Sequence, residues 1–262
     1  MVTVADAIRS KAGGSDPLSF PDGFVTAVGG ITTGGGSSDP ADNKWAAMIC
    51  RPDTGVDIRE EDWLSIAVAN FAFRKYAFAY NKGYVEIPMN YMVPTGGFRG
   101  FEGEVVFIDS ERYHNLGSEA FKSAHLKRWP VGLNHFLSNI APSYLFQDCR
   151  FEEDVELPEG ITRIESGFMT DVYKQSLDQS SAGSITITIP ESVTSFGANY
   201  AIAGYYIRPA NLIMRSSTPP TLDSSSSLLR INKITVPAGS LQAYQEATNW
   251  SQFADIMVEA SA

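Results

Sequence analysis

A short strand-like unit recurs along this chain, and the recurrence restricts the possible folds more than any other feature. Its clearest copy is ITIP at residues 187–190, in which β-branched residues end at a proline. Comparable apolar strand ends are Ile87, Ile108, Trp129, Leu157, Ile189, Ile213 and Val236. The intervals between them are 21, 21, 28, 32, 24 and 23 residues. A strand this short cannot bury its inner face alone, whereas stacked coils cover one another. The pattern predicts a repeat solenoid whose short parallel strands align in a sheet on one side.

A second apolar marker follows the first by 7 to 11 residues in four of the coils. The marker pairs are Leu116-Gly117, Ile140-Ala141, Ile164-Glu165 and Phe196-Gly197. Each precedes a short segment that carries an aromatic residue, and the residues expected to fill the interior are Phe121, Phe146, Phe168 and Tyr200. A β-sandwich is the alternative, but its strands recur every ~8–12 residues. The longest interval predicts a polar insertion at 174–184.

The chain divides into three parts by composition. Residues 1–31 carry a helix signal from Thr3 through Lys11 and a second one near Pro21, and Gly-Gly pairs end both. This unit has too few apolar residues to hold a core alone, so we expect a small helical N-terminal anchor that docks on a partner. The Gly/Ser-rich residues 32–43 predict a flexible linker. Residues 44–262 are the predicted repeat domain.

The charge and hydropathy of the chain disfavour several classes of partner. Its net charge of −10 and pI of about 4.8 disfavour nucleic acid, because an acidic surface repels phosphate. No run approaches the ~18 apolar residues of a transmembrane helix, so we expect no membrane insertion. The N-terminus lacks a basic start followed by an apolar stretch, so we expect no secretory signal. We expect Cys50 and Cys149 to be buried as small hydrophobic residues.

The sequence carries none of the common motifs for hydrolysis, zinc-dependent proteolysis or nucleotide binding. The glycine-rich GGFRGFEG at 96–103 lacks the Lys and Ser/Thr that hold phosphate. The three histidines, His114, His125 and His135, do not share a coil register. Adjacent acids in REED at 59–62 are more typical of a solvated face than of a glycosidase carboxylate pair. We therefore expect a protein that is not an enzyme and that uses no cofactor and no metal.

Two segments of the repeat region, LPEGITRIESGF and ITIPESVTSFGANYAI, resemble the BspA-type leucine-rich repeat. The segment from about residue 218, with its Thr-Pro-Pro, Val-Pro-Ala-Gly-Ser and Asn-Trp-Ser, is similar to the end of many such proteins. The resemblance implies a BspA-like leucine-rich repeat solenoid with a C-terminal cap. The residues agree with a cap, because a helix through about Ala247 places Leu241 and Tyr244 on one face. The aromatic and apolar residues that would then close the last coil are Trp250, Phe253 and Ile256.

The segment VADAIRSKAGGSDPLSFPDGFVTAVGGI at 4–31 resembles a short element near the start of many tail-associated proteins of tailed bacteriophages. This resemblance implies attachment to other tail or baseplate proteins and a location on the virion. The apolar residues that would form the anchor are Ile8, Phe20, Phe24 and Ile31. An appendage inherits the symmetry of its socket, so we also expect a homo-oligomer, of which a trimer is one form.

These features together favour a phage tail or baseplate protein that displays the solenoid for receptor binding or host adhesion. Its expected partner is a glycan or protein of the bacterial surface. Exposed aromatic side chains favour such contacts, and the candidates are Tyr80, Tyr84, Tyr91, Phe98, Phe101, Tyr205 and Tyr206. The alternatives are a virion decoration protein that binds no receptor, a bacterial BspA-like surface adhesin, and an enzyme that depends on Glu60 or Glu61.

Overall fold

The described part of the chain winds into a parallel β-solenoid of about seven turns. The computed structural model describes residues 55–59, 78–87, 92–108, 116–133, 139–175 and 183–261. The prediction of a repeat solenoid with short parallel strands is therefore confirmed. The N-terminal anchor, the linker at 32–43 and Cys50 lie outside the described residues.

Most strands are short, from two to six residues. In chain order they are β1 (Gly55–Ile58), β2 (Lys82–Ile87), β3 (Glu102–Phe107), β4 (His125–Leu126), β5 (Ile140–Ala141), β6 (Arg150–Phe151), β7 (Val155–Glu156), β8 (Arg163–Ile164), β9 (Met169–Lys174), β10 (Thr186–Ile189), β11 (Ser195–Phe196), β12 (Ile202–Gly204), β13 (Ala210–Met214), β14 (Thr221–Leu222), β15 (Leu228–Leu229), β16 (Ile231–Val236) and β17 (Met257–Glu259). Between β16 and β17 lie helix α1 (Leu241–Glu246) and a 3-10 helix (Ser251–Ile256).

The strands form three parallel sheets around one core. Sheet 1 contains β1, β2, β3, β4, β6, β9, β12 and β15; sheet 2 contains β7, β10, β13, β16 and β17; sheet 3 contains β5, β8, β11 and β14. From β5 onwards each coil passes through sheet 3, sheet 1 and sheet 2 in that order. The expectation of one sheet on one side is wrong, since the strands form three sheets. The strands of sheet 3 are only two residues long, so the sequence carries no local strand pattern that predicts them.

The first predicted marker falls at or near strand ends in two of the sheets, at β2 and β3 of sheet 1 and at β10 and β13 of sheet 2. Ile87 pairs with Phe107, one residue before the predicted Ile108, and Ile189 pairs with Met214, one residue after the predicted Ile213. Trp129 lies outside the strands. A bridge of Val131 to Val106 continues the pairing of β3 there instead. A β-branched run that ends at proline was a good indicator because it favours an extended strand and then stops it.

The second marker forms a column in sheet 3. Ala141 pairs with Ile164, Ile164 with Phe196, and Phe196 with Leu222. Three of these side chains are fully buried, and Leu222 is nearly so. Leu116 is bridged to Val93 in the same parallel sense. The predicted spacing of this marker is confirmed, with a shift of one residue from Ile140 to Ala141.

A column of phenylalanines runs through the interior where the chain passes from sheet 3 to sheet 1. Ring centroids are 4.9 Å apart for Phe78 and Phe98, 5.2 Å for Phe98 and Phe121, and 5.1 Å for Phe121 and Phe146. Phe168 continues the column with an edge-on ring 5.6 Å from Phe146. These separations are about one strand spacing, so each coil adds one ring to the stack. The predicted interior positions of Phe121, Phe146 and Phe168 are confirmed.

The turns that carry these rings share one backbone pattern. In four of these turns, two residues with positive φ lie four positions apart; the pairs are Gly96 and Gly100, Glu119 and Ser123, Tyr144 and Asp148, and Gly167 and Asp171. The chain bends at both positions and turns the intervening phenylalanine inward. Tyr200 has a φ of 48° and is 43% exposed, so its predicted interior position is wrong. The neighbouring Ala201 is buried instead.

The C-terminal residues pack around a buried tryptophan that contacts the last coils. Trp250 is fully buried, and its Nε1–H donates a hydrogen bond to the Pro220 carbonyl at 2.6 Å. Its ring meets Tyr244 and Phe196 edge-to-face at 5.1 Å and 6.3 Å. The Tyr244 hydroxyl donates to the carbonyl of Ser216 at 2.8 Å. β14, β15 and β16 still continue the three sheets, so the helical part of the cap begins after Val236.

Candidate binding surface

Two successive coils have long connections between their strands in sheet 1 and sheet 2. The connection from β6 to β7 contains residues 152–154, and that from β15 to β16 contains Arg230 alone. In contrast, residues 175–185 connect β9 to β10, and residues 205–209 connect β12 to β13. The first of these longer connections contains the predicted polar insertion, whose ends meet where Lys174 bridges Gly183. Residues 176–182 lie outside the described part of the chain.

The connection at 205–209, here called the Tyr206 loop, leaves and rejoins the coil at one point. A Cβ on Gly204 would lie 2.2 Å from the Ala210 nitrogen and 2.7 Å from the Arg230 carbonyl oxygen. Only glycine fits this close approach. The Ala210 N–H donates to that same Arg230 oxygen at 3.0 Å. The loop projects from the solenoid between β12 and β13, and the strand pairing shifts in register on both sides of it, between Ile202 and Gly204 and between Ala210 and Asn211.

The Tyr206 loop presents two large apolar side chains at its tip. Tyr205 and Arg208 form an antiparallel bridge, and the Arg208 N–H donates to the Tyr205 carbonyl at 2.9 Å. Tyr206 is 75% exposed and Ile207 is 59% exposed. Single exposed apolar residues need no explanation, but two adjacent ones at the tip of a closed loop form a small contact surface.

Side chains of neighbouring coils pack against the aromatic rings of the loop. The Tyr205 ring packs on Tyr173 with centroids 4.9 Å apart and an interplanar angle of 39°. The Arg230 guanidinium carbon lies 5.2 Å from the Tyr206 ring centroid, within the range of a cation–π contact. Arg230 also forms an ion pair with Asp171. Because these contacts hold the tyrosines in place before any ligand arrives, binding would order fewer groups.

Charges of both signs surround the stacked tyrosines. Arg150 is the strand partner of Tyr173, and within the described residues it forms no ion pair. Burial raises the pKa of the Tyr173 phenol, Arg150 lowers it, and Tyr205 and Asp148 raise it. Burial, followed by the nearby Asp171, raises the pKa of the Asp148 carboxyl. The insertion corner is hereafter the set of Asp148, Arg150, Asp171, Tyr173, the Tyr206 loop and Arg230.

The predicted surface residues fall into three groups. Tyr205 and Tyr206 lie at the insertion corner. Tyr80 is exposed at the start of the solenoid, with its ring over Gly100. Tyr84 is partly buried, with Arg59 3.9 Å from its ring centroid and its hydroxyl donating to Glu86 at 2.8 Å.

These groups do not form one surface. Five strand spacings separate β2 from β12 in sheet 1, about 24 Å. Phe98 and Phe101 are fully buried, so their predicted exposure is wrong. The glycine-rich turn GGFRGFEG directs them into the phenylalanine column rather than outward. Tyr91 and the candidate anchor residues Ile8, Phe20, Phe24 and Ile31 lie outside the described residues.

Sequence reasoning missed the other principal residues of the insertion corner, which are Asp148, Arg150, Asp171, Tyr173, Ile207 and Arg230. The signal that could have revealed the loop is YYIRP at 205–209, in which adjacent aromatics and a proline follow Gly204. The interval of 24 residues from Ile189 to Ile213 did not reveal the loop, because without the loop's five residues this coil is shorter than its neighbours.

The described residues contain no group of three or more His, Cys, Asp or Glu side chains that could hold a metal ion. His125 is nearly fully buried, with its Nε2 2.8 Å from the Gln175 carbonyl oxygen. Cys149 is fully buried, as predicted, and its thiol donates to the Phe121 carbonyl at 2.7 Å. Burial raises the pKa of this thiol well above its usual range. His114, His135, Glu60 and Glu61 lie outside the described residues.

Comparison with known proteins adds no relative: no family model matches the chain, and no curated protein is significantly similar to it. Among the described residues, no helix has the length and apolar character needed to cross a membrane.

Proposed function

We propose that this chain is a phage tail or baseplate protein that binds a component of the bacterial surface through its insertion corner. The observation that carries the proposal is the pair of successive insertions between sheet 1 and sheet 2, one of which exposes Tyr206 and Ile207. Insertions of a repeat protein that collect on one side commonly form its binding face. The aromatic rings are held by neighbouring coils, as expected of a preorganised contact.

The coils are proposed to belong to the BspA-type leucine-rich repeat class. In the two coils that carry the resemblance, the apolar–Pro step comes at or just after the end of a sheet 2 strand, and the second marker comes at the end of a sheet 3 strand. The same sequence pattern thus falls at equivalent positions of successive coils, which is what a repeat family requires.

The virion location is proposed on the resemblance of residues 4–31 to an element of phage tail proteins. In this proposal Ile8, Phe20, Phe24 and Ile31 anchor the protein to other tail or baseplate proteins, and a homo-oligomer displays the solenoid outward. Immunogold electron microscopy of the phage, with antibody raised against the full chain, tests the location. Label at the tail tip supports the proposal, label on the capsid supports the decoration alternative, and unlabelled particles favour the bacterial adhesin.

Competition for adsorption tests the receptor-binding role. Purified full-length protein should slow phage adsorption when it is added to host cells first. A variant with Tyr206→Ala and Ile207→Ala should compete at least about tenfold less well, because it loses the exposed contact surface. Tyr80→Ala is the matched control, since it removes an exposed tyrosine at the far end of sheet 1. Equal competition by all three proteins would contradict a role of the insertion corner.

A further inference from the structure

The side chains of the insertion corner indicate a class of ligand, because flat aromatic rings and charges of both signs occur together there. Tyr205 and Tyr206 offer ring faces beside Tyr173 and Arg230. The Arg150 guanidinium, which forms no ion pair with any residue that the structure describes, supplies donors in a planar fork, and the Asp148 carboxyl supplies acceptors. A ligand that satisfies all of these groups needs an apolar face edged by hydroxyls that both donate and accept.

We propose that the insertion corner binds a saccharide, with a sugar ring stacked on Tyr206 or Tyr205 and its hydroxyls hydrogen-bonded to Arg150 and Asp148. A pyranose ring has a face of C–H bonds that packs on an aromatic ring, and its rim of hydroxyls is both donor and acceptor. The inference rests on the proposed binding function of this corner and names the class of ligand.

Two other classes of ligand fit the corner less well. A polyanion would approach a chain of net charge −10 and would meet Asp148 as well as Arg150. A protein partner of ordinary size needs about 800 Å² of surface on each side, far more than the exposed faces of Tyr205, Tyr206 and Ile207 provide. A sugar unit, in contrast, is matched by one or two rings and a few polar groups.

Binding of fluorescently labelled full-length protein to host cells tests the ligand class. Periodate cleaves vicinal diols, so we expect periodate treatment of the cells to abolish binding and proteinase treatment to leave it intact. The opposite result would overturn the saccharide inference while the binding function stands. Absence of binding to untreated host cells would instead overturn the proposed function itself.

Three variants then test the geometry with periodate-sensitive binding to the same cells. Tyr206→Phe keeps the ring face and should retain affinity within about twofold, whereas Tyr206→Ala should lose about tenfold or more. Arg150→Gln should weaken binding severalfold, because it removes the donor fork. Lys233→Gln is the matched control, since it removes one positive charge from an exposed residue of sheet 2. Equal effects of Arg150→Gln and Lys233→Gln would show that only net charge matters and would contradict the proposed hydrogen bonding.

Discussion

Individual glycines in this solenoid are needed for two different physical reasons. Gly132 has a φ of +76°, and a Cβ there would lie 2.0 Å from the Phe107 carbonyl oxygen. Gly239 has a similar φ of +78°, but a Cβ there would meet nothing within 4 Å. The two positions therefore separate the cost of a left-handed backbone from the cost of a clash with the next coil.

We expect Gly239→Ala to lower the free energy of unfolding by about 1–2 kcal/mol, the usual cost of a left-handed residue with a Cβ. Gly132→Ala should cost clearly more, since a backbone carbonyl cannot move aside like the end of a flexible side chain. Urea unfolding of the full-length protein measures both changes. Equal losses would mean that the coils shift enough to relieve the contact.

The Asp148 carboxyl gives a prediction with a definite pH dependence. Burial and the adjacent Asp171 raise its pKa in the folded protein, although Lys122 and Arg99 oppose this. The charged form is therefore disfavoured in the folded state, and stability is lost as the pH rises from the unfolded value of about 3.9 through the raised folded pKa. Asp148→Asn removes this penalty, and asparagine tolerates the positive φ at this site.

We therefore expect Asp148→Asn to be more stable than the unmodified protein at about pH 7 and equal to it at about pH 3. Thermal unfolding at both pH values measures the difference. A variant that is less stable at neutral pH would show that the carboxylate has a favourable interaction stronger than its burial cost.

At the scale of single elements, the C-terminal cap depends on one tryptophan. Trp250 is fully buried, bonds to the Pro220 carbonyl and contacts Tyr244 and Phe196. Trp250→Ala should lower the free energy of unfolding by about 3–5 kcal/mol. Phe253→Ala removes a partly buried ring of the same cap and should cost less. Denaturant unfolding compares them, and a smaller loss at Trp250 would argue against its central place in the cap.

The elements that could be predicted from the sequence are those whose local pattern matches their final environment. The strand end at Ile189 combines β-branched residues with a proline, and the cap helix places Tyr244 on one apolar face, so both are recognisable before folding. Two-residue strands such as Arg163–Ile164 are not, because parallel pairing with adjacent coils defines them rather than any preference of their own. The division into three sheets follows from these short strands.

The candidate site was only partly predictable, because it too depends on pairing between different coils. Tyr205 and Tyr206 were identified as exposed aromatics, but Arg150 and Tyr173 come from other coils and reach them only through strand register. Phe98, a candidate exposed aromatic in the sequence, lies between Gly96 and Gly100. Those glycines supply the positive φ values that turn it into the core, an effect that composition alone does not reveal.

For the whole molecule, each coil is stabilised mainly by its two neighbours. In such a stack a local defect should loosen adjacent coils first. Hydrogen–deuterium exchange of the Trp250→Ala variant should therefore rise in β14–β17 and stay unchanged in β2 and β3. The Phe253→Ala variant should show the same pattern with smaller changes. A uniform rise along the chain would show instead that the solenoid unfolds as one cooperative unit.

The close approach of Gly204 and Ala210 has a consequence for how the protein could diversify. Because the chain leaves and rejoins the coil at one point, the intervening five residues can change in length and composition while the stack stays the same. Doubling the length of a flexible loop costs only about 0.6 kcal/mol in closure entropy. In the proposed receptor-binding role, a change confined to the Tyr206 loop would therefore alter the ligand preference, while Arg150 and Asp148 would keep their places in the coils.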